Sequence, residues 1–149
     1  MKIKFIILSI LIYTNLFAQE IEITLVGRKV TDTSLIAVLK TEKYWGFKGL
    51  ESSNLNINEV EICETLLKDT IRKYNEEGAK IDLKQYHRQY FAAVNKNRDK
   101  IVMINCFCEK PALNWKEEFC DIDDGGDCYF KLKINLTQNK ISELDINGS

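Results

Sequence analysis

The stretch NEVEICETLLKDTIRKYNEE, residues 58–77, decides the fold class of this chain. Its mostly apolar positions recur every three or four residues, which is the spacing of one face of an α-helix. These positions are Val60, Cys63, Leu66, Leu67, Thr70, Ile71 and Tyr74. Asn58 is a favourable N-cap, and Glu59 and Glu61 suit the positive end of the helix dipole. Gly78 stands where a helix commonly stops, so the stretch predicts one helix from about Asn58 to Glu77.

Beyond this helix the spacing of apolar residues falls to two, which is typical of strands. The predicted strands are 81–94, 100–108, 128–136 and a short one over 141–146. Before the helix, residues 21–26 also predict a strand, whereas residues 34–40 fit either a strand or a helix. Residues 44–50 (YWGFKGL) indicate an aromatic loop. The order is a strand, a helix and then four strands in series, which predicts an α+β protein.

The apolar faces of the helix and of the strands are buried most economically by an antiparallel sheet of four to five strands wrapped around one long helix. This arrangement resembles the cystatin-like roll. An NTF2-like roll is the alternative, although it usually has more N-terminal helix than this chain supplies. The protease-binding loop Q-x-V-x-G of inhibitory cystatins does not occur in the sequence, so the resemblance concerns architecture and does not imply inhibition.

The N-terminus predicts export. Lys2 and Lys4 precede an apolar run of about 12 residues, and Ala18 provides the small residue that signal peptidase requires. The alternative is a membrane anchor, but the run is too short to cross the roughly 30 Å hydrocarbon core as a helix. We therefore expect a signal peptide over 1–18, a single domain over 19–149, and a periplasmic or secreted protein without an integral membrane segment after cleavage.

Composition excludes several function classes. The chain has 149 residues, 45% of them hydrophobic, which is enough for one folded domain. Without Lys2 and Lys4 it carries 19 Lys and Arg against 22 Asp and Glu. This acidic balance argues against a nucleic-acid partner, which requires a basic patch. The single His excludes a metal site built from several histidines.

The five cysteines suggest disulfides, because export places them in an oxidising compartment. Cys106 and Cys108 share one face of a predicted strand, so each should bond to another segment. Either lies within reach of Cys128 if the two strands pair, and a Cys108–Cys120 bond is the competing arrangement. Cys63 is expected to be an unpaired core residue. The spacing matches structural zinc sites poorly, and we expect no metal or other cofactor.

Tyr86, Arg88 and Tyr90 share one face of a predicted strand and form a candidate interaction face, because Tyr and Arg dominate protein-binding hot spots. Ordinary cross-strand packing is the alternative interpretation. His87, on the opposite face, is interpreted as an incidental strand residue rather than a catalytic base. Trp45 and Trp115 lie in loops, where each is expected to close one end of the core, with lining a pocket as the alternative.

An aspartate-rich segment, residues 121–127 (DIDDGGD), offers oxygen ligands of the kind that Ca²⁺ prefers. In an EF-hand loop beginning at Asp121, position 5 would be Gly125 and position 12 would be Leu132, so the motif fails. The segment is better interpreted as a turn with glycines at positive φ.

The second half of the sequence also resembles a known group. The matching strings are YHRQY (86–90), INCFC (104–108), WK (115–116), DGGDCYF (124–130), NLT (135–137) and NG (147–148). They are similar to small exported proteins of the Bacteroidota type over about Tyr86 to Ser149. The resemblance implies a periplasmic or secreted protein and no particular reaction.

These observations favour a non-catalytic binding or interaction module, whose partner is a protein or a small ligand. One alternative is a small periplasmic enzyme that uses a thiol and His87, because nucleophile and base need only be close in space. However, no nucleophile elbow or phosphate-binding glycine loop is present in the sequence. A structural component of the envelope is the other alternative.

Overall fold

The structure is a computed structural model, and it describes residues 33–109, 114–122 and 124–147. The described residues belong to one compact unit that covers 32–149. The predicted signal peptide and the predicted strand over 21–26 lie outside the described residues.

The described chain contains one long helix and six strands, which confirms the α+β class. The helix α1 spans Ile57–Glu76. The strands are β1 (Ile36–Val38), β2 (Glu51–Ser52), β3 (His87–Val94), β4 (Lys100–Phe107), β5 (Tyr129–Asn135) and β6 (Lys140–Ile146). Short 3₁₀ turns join them at Thr41–Lys43, Trp45–Phe47, Leu83–Gln85 and Gly126–Cys128.

Helix α1 begins one residue before the predicted start, and its N-cap is Asn56 rather than Asn58. The Asn56 side chain accepts a hydrogen bond from the Glu59 amide at 3.0 Å. In return, a Glu59 carboxylate oxygen accepts one from the Asn56 amide at 2.9 Å. This reciprocal capping box satisfies two donors that the helix itself leaves unpaired, which explains why the earlier asparagine forms the cap.

The sheet runs in the order β1-β3-β4-β5-β6, and β2 also pairs with β3. Strands β3 to β6 are antiparallel and follow one another through short connections, as predicted, except for the longer segment between β4 and β5. The register places Arg88 opposite Cys106 and Cys106 opposite Phe130. Their side chains therefore lie on one face of the sheet.

The prediction of a purely antiparallel sheet of four to five strands was wrong. The sheet has six strands and is mixed, because β1 runs parallel to β3, with Ile36 opposite Arg88. A parallel pair needs a long crossover connection, and the chain supplies one that contains α1. The two-residue strand β2 pairs with the far end of β3, so β1 and β2 share one edge of that strand.

Both faces of the central strands are buried. Helix α1 packs on one face, where Leu67, Ile104 and Leu132 are fully buried. On the other face, residues from the segments around 37–47 and 115–120 cover a second apolar cluster that includes Phe91 and Met103. The sequence predicted only the helix-covered face, since the covering loops lack a regular period.

Candidate binding site

The second apolar cluster holds a group of aromatic rings at the sheet surface. Tyr44 is its centre, with ring centroids 5.0 Å from Phe47, 5.3 Å from Phe91 and 5.4 Å from Phe119. Tilted and edge-to-face contacts at these distances are favourable aromatic geometries. Tyr44 is almost fully buried, so the sheet fixes its position.

The loop that carries Tyr44 is anchored to the sheet through the buried hydroxyl of Thr41. Thr41 donates a hydrogen bond to the Ala92 carbonyl at 2.5 Å, and Ser52 donates to the Thr41 hydroxyl at 2.9 Å. Gly46 lies directly against the Tyr44 ring, since a Cβ at this position would be 2.4 Å from that ring. The close approach of the ring to the backbone therefore requires glycine here.

Trp45 follows Tyr44 and points outward, with 64% of its surface exposed. Its indole N–H donates a hydrogen bond to Asp121 Oδ2 at 3.0 Å. The other Asp121 oxygen lies 3.0 Å from Lys131 Nζ, and that ammonium lies 5.9 Å from the centre of the Trp45 ring. A hydrogen bond and a cation–π contact thus hold an exposed indole in one place.

A cavity of about 260 Å³ opens beside this indole, and we call it the Trp45 pocket. Its lining residues are Tyr44, Trp45, Gly46, Met103, Lys131, Lys133, Glu143 and Asp145. A second cavity, of about 420 Å³, shares Tyr44 and Trp45 and is otherwise lined by the loop over 41–52. The two aromatic side chains therefore stand between two cavities.

A third cavity, of about 440 Å³, lies beside the C-terminal part of α1. Its polar groups are largely engaged within the chain. The Asn75 side-chain amide bonds the backbone of Ile81 in both directions, at 2.8 and 2.9 Å, and Arg72 pairs with Glu76. None of the described residues that line this cavity is aromatic, so it is a weaker candidate than the Trp45 pocket.

The segment that carries Asp121 is held on the sheet by two buried amides. Gln89 donates to the carbonyls of Trp115 and Glu118, the second at 2.7 Å, and its oxygen accepts from the Cys120 amide at 3.0 Å. Asn105 donates to the Cys120 carbonyl at 2.8 Å and to the Gln89 oxygen at 3.0 Å. These bonds position the loop whose Asp121 holds Trp45.

The candidate interaction face of Tyr86, Arg88 and Tyr90 lies in the core and not at the surface. All three residues are at most 6% exposed, because they lie on the sheet face that α1 covers. The Tyr86 hydroxyl donates to the Asp127 carbonyl at 2.8 Å. The packing interpretation therefore describes these residues.

Arg88 forms a buried charge cluster with the helix. Its Nε lies 2.8 Å from Glu64 Oε1, and both side chains are less than 10% exposed. Arg88 Nη1 also donates to the carbonyls of Leu83 and Tyr86 at 2.8 and 2.9 Å, and the Tyr90 hydroxyl donates to Glu64. Burying two charges is costly unless they are paired and hydrogen-bonded. Here the two groups form an ion pair, Arg88 hydrogen-bonds through Nη1 and Glu64 through the Tyr90 hydroxyl, whereas Arg88 Nε makes only the ion-pair contact.

The cysteines form one disulfide, Cys108–Cys128, with a Cα–Cα distance of 5.1 Å. This pairing is one of those predicted, and the competing Cys108–Cys120 bond does not form. Cys63, Cys106 and Cys120 are free, and the first two are buried. The prediction of Cys63 as an unpaired core residue is confirmed.

Cys108→Ser should destabilise the protein by about 3 kcal/mol. The disulfide joins residues 20 apart, and a loop of that length restricts the unfolded chain by about this amount in the chain-entropy model. Urea unfolding of material expressed in the periplasm measures the loss, and Cys120→Ser provides the control with an intact bridge. Peptide mapping that finds five free thiols, or a bridge to Cys63, would contradict this assignment.

The free thiols lie in environments that keep them protonated. Burial raises the pKa of Cys63 to about 12, with the nearby carboxylates of Glu59 and Glu64 adding to the effect. Burial also raises the pKa values of Cys106 and Cys120. A thiol reacts as its thiolate, so these positions are unfavourable for nucleophilic chemistry.

His87 packs between aromatic rings. It stacks on Phe107 at 5.4 Å and meets Trp115 edge-to-face at 4.9 Å. Its Nδ1 is buried and has no hydrogen-bond partner among the described residues. Burial lowers the pKa of His87 below its ordinary value, so the neutral form is favoured in the folded protein.

This lowered pKa makes stability depend on pH. Above the unfolded pKa of about 6.5, His87 is neutral in both states and has no effect. As the pH falls below 6.5 the unfolded chain gains the proton first, so the free energy of unfolding should decrease. His87→Leu should flatten the dependence between about pH 6.5 and 5. An unchanged slope in urea unfolding over this range would contradict the assignment, because His87 is the only histidine.

The aspartate-rich segment combines backbone at positive φ with one side-chain contact to Trp45. Gly125 and Gly126 have φ values of +132° and +58°, as the turn interpretation predicts. Asp124 accepts a hydrogen bond from the Gly125 amide, and Asp121 holds Trp45. Asp123 lies outside the described residues. Within the described ranges, no group of three or more His, Cys, Asp or Glu is placed to hold a metal ion.

The expectation that both tryptophans close the core is half right. Trp115 is 8% exposed and packs against Phe107, whereas Trp45 lines a pocket. Sequence reasoning missed the polar side of this pocket, which comes from Lys131, Lys133, Glu143 and Asp145. The sequence signals only the two lysines, because the alternation of β5 places both of them on the face opposite its apolar residues.

Among the described residues, no helix is both long and apolar enough to cross a membrane. No protein-family model, curated protein or solved structure matches the chain.

Proposed function

We propose that the protein is an exported, non-catalytic binding module whose ligand contacts the Trp45 pocket. The observation that carries this proposal is an indole that is 64% exposed yet fixed by a hydrogen bond to Asp121 and by the Lys131 ammonium. Single exposed apolar residues are common and need no explanation. An exposed indole held beside a cavity is different, because little conformational entropy is lost when a ligand packs on it.

Export is supported by the Cys108–Cys128 disulfide, since such bonds persist in oxidising compartments. The architecture fits a variant of the cystatin-like roll, in which one helix packs on the antiparallel strands β3 to β6. The parallel strand β1 departs from the purely antiparallel sheet expected for that roll.

The thiol enzyme is the weaker candidate. The free cysteines have raised pKa values, and the ring of His87 packs against Phe107 and Trp115. Native iodoacetamide labelling at pH 7.5 should therefore modify the three free thiols more slowly than a small-molecule thiol. A hypersensitive cysteine whose labelling is lost in His87→Ala would favour the enzyme instead.

The binding function is tested by passing an envelope extract of the native host over immobilised protein. Parallel columns carry the wild type, Trp45→Ala and the control Ile62→Ala, which truncates an exposed apolar side chain on α1. We expect the wild type and Ile62→Ala to retain the same material and Trp45→Ala to lose it. Equal retention by all three columns would contradict the proposed binding surface, as would retention by none.

A further inference from the structure

We propose that the Trp45 pocket binds a neutral pyranose sugar, as a terminal or internal unit of an oligosaccharide. This inference rests on the proposed function and adds the chemical class of the ligand. It is carried by one juxtaposition, a fixed aromatic wall next to paired lysine and carboxylate side chains.

The dimensions of the pocket suit a single ring. Its volume of about 260 Å³ lies below the roughly 300–1,000 Å³ of pockets for drug-sized ligands. Met103 is buried beneath the sheet surface, and Tyr44 and Trp45 supply the aromatic wall. One face of a pyranose consists mainly of C–H groups, and packing this face on an indole buries apolar surface from both partners.

The polar groups around the pocket offer donors and acceptors side by side. Lys133 Nζ pairs with Glu143, and Lys131 Nζ pairs with Asp121 at 3.0 Å. An ammonium only donates hydrogen bonds and a carboxylate only accepts them, whereas a hydroxyl does both. Neighbouring hydroxyls on a sugar ring can therefore bond to both members of a pair while the pair stays intact.

Charged ligands fit this pocket less well. The lining residues carry two positive and two negative formal charges, from Lys131, Lys133, Glu143 and Asp145. An anion would have to compete with the carboxylates already paired to the lysines. A cation would meet the Lys131 ammonium beside the Trp45 ring. A neutral polar ligand avoids both costs.

The aromatic wall is preorganised. Tyr44 packs on Phe47, Phe91 and Phe119, so its ring cannot turn away without disturbing the second apolar cluster. Burial, reinforced by the negative charges of nearby carboxylates, raises the pKa of Tyr44. Its phenol consequently stays protonated at neutral pH and can both donate and accept hydrogen bonds.

Isothermal titration of the full mature protein tests this inference. The probes are cellotetraose, chitotetraose and mannotetraose, with tetralysine and tripolyphosphate as charged comparisons. We expect at least one neutral tetrasaccharide to bind, and Trp45→Ala and Glu143→Gln each to weaken it about tenfold or more. Glu76→Gln, in the exposed helical pair with Arg72, is the matched control and should leave affinity unchanged.

Failure of the sugar inference is distinguishable from failure of the binding function. Binding of tetralysine or tripolyphosphate in preference to all three sugars would overturn the sugar class, as would binding of no probe. In either case the extract columns still report whether Trp45 retains material of another class. Sugar binding that persists in Trp45→Ala would overturn the assignment to this pocket. A circular dichroism spectrum shows whether each variant is folded.

Discussion

Arg88→Met should destabilise the protein by about 3–5 kcal/mol, the largest single loss that we expect. The substitution leaves the Glu64 carboxylate of α1 buried against the sheet without its ion partner, and uncompensated buried charges typically cost this much. Urea unfolding of the wild type and the variant measures the difference.

Two controls show whether charge pairing is the cause. Arg72→Met removes an equivalent side chain from the exposed pair with Glu76, and should cost only about 0.5 kcal/mol. The double variant Glu64→Leu/Arg88→Met removes both charges, and should recover roughly half or more of the loss, because apolar replacements of a buried pair are often tolerated. A double variant less stable than Arg88→Met alone would contradict this explanation.

Leu67→Ala should cost about 2–5 kcal/mol, because the side chain is fully buried where α1 meets the sheet. Truncation removes apolar contacts and leaves a cavity that the surrounding residues fill only in part. Ile62→Ala, on the exposed face of the same helix, serves as the matched control. A loss below about 0.5 kcal/mol for Leu67→Ala would show that the helix does not pack as described.

The elements that depend on local pattern were predictable from the sequence. Helix α1 and strands β4 to β6 were predicted within a few residues because their apolar periods are sustained. Strand β3 begins at His87, six residues later than predicted, because residues 83–85 form a 3₁₀ turn. Strand β1 was ambiguous, since three residues carry no period and its parallel pairing depends on β3, some fifty residues away. The mixed sheet therefore arises from long-range contacts that periodicity does not encode.

The burial of Arg88 illustrates a different limit of prediction from the sequence. Alternation correctly placed Tyr86, Arg88 and Tyr90 on one face, but it does not tell which face the helix covers. A signal existed in α1, because Glu64 lies four residues after Val60 and three before Leu67, within the apolar stripe. A carboxylate there requires a buried partner, and a strand arginine was the natural choice.

The Trp45 pocket could not be predicted as a whole. Its residues come from one loop and three strands, so no local motif joins them. The sequence indicated only an aromatic loop and the polar alternation of β5. Their meeting depends on the β5–β6 register, which places Lys131 opposite Asp145 and Lys133 opposite Glu143.

The most direct test of the binding surface is ¹⁹F NMR of protein labelled with 5-fluorotryptophan. Trp45 and Trp115 give two resonances, which Trp45→Phe assigns, and the buried Trp115 serves as an internal control. On addition of native envelope extract, we expect the Trp45 resonance to shift or broaden while that of Trp115 keeps its position. A Trp45 resonance that stays unchanged, or that moves no more than that of Trp115, would contradict the claim that this surface binds a ligand.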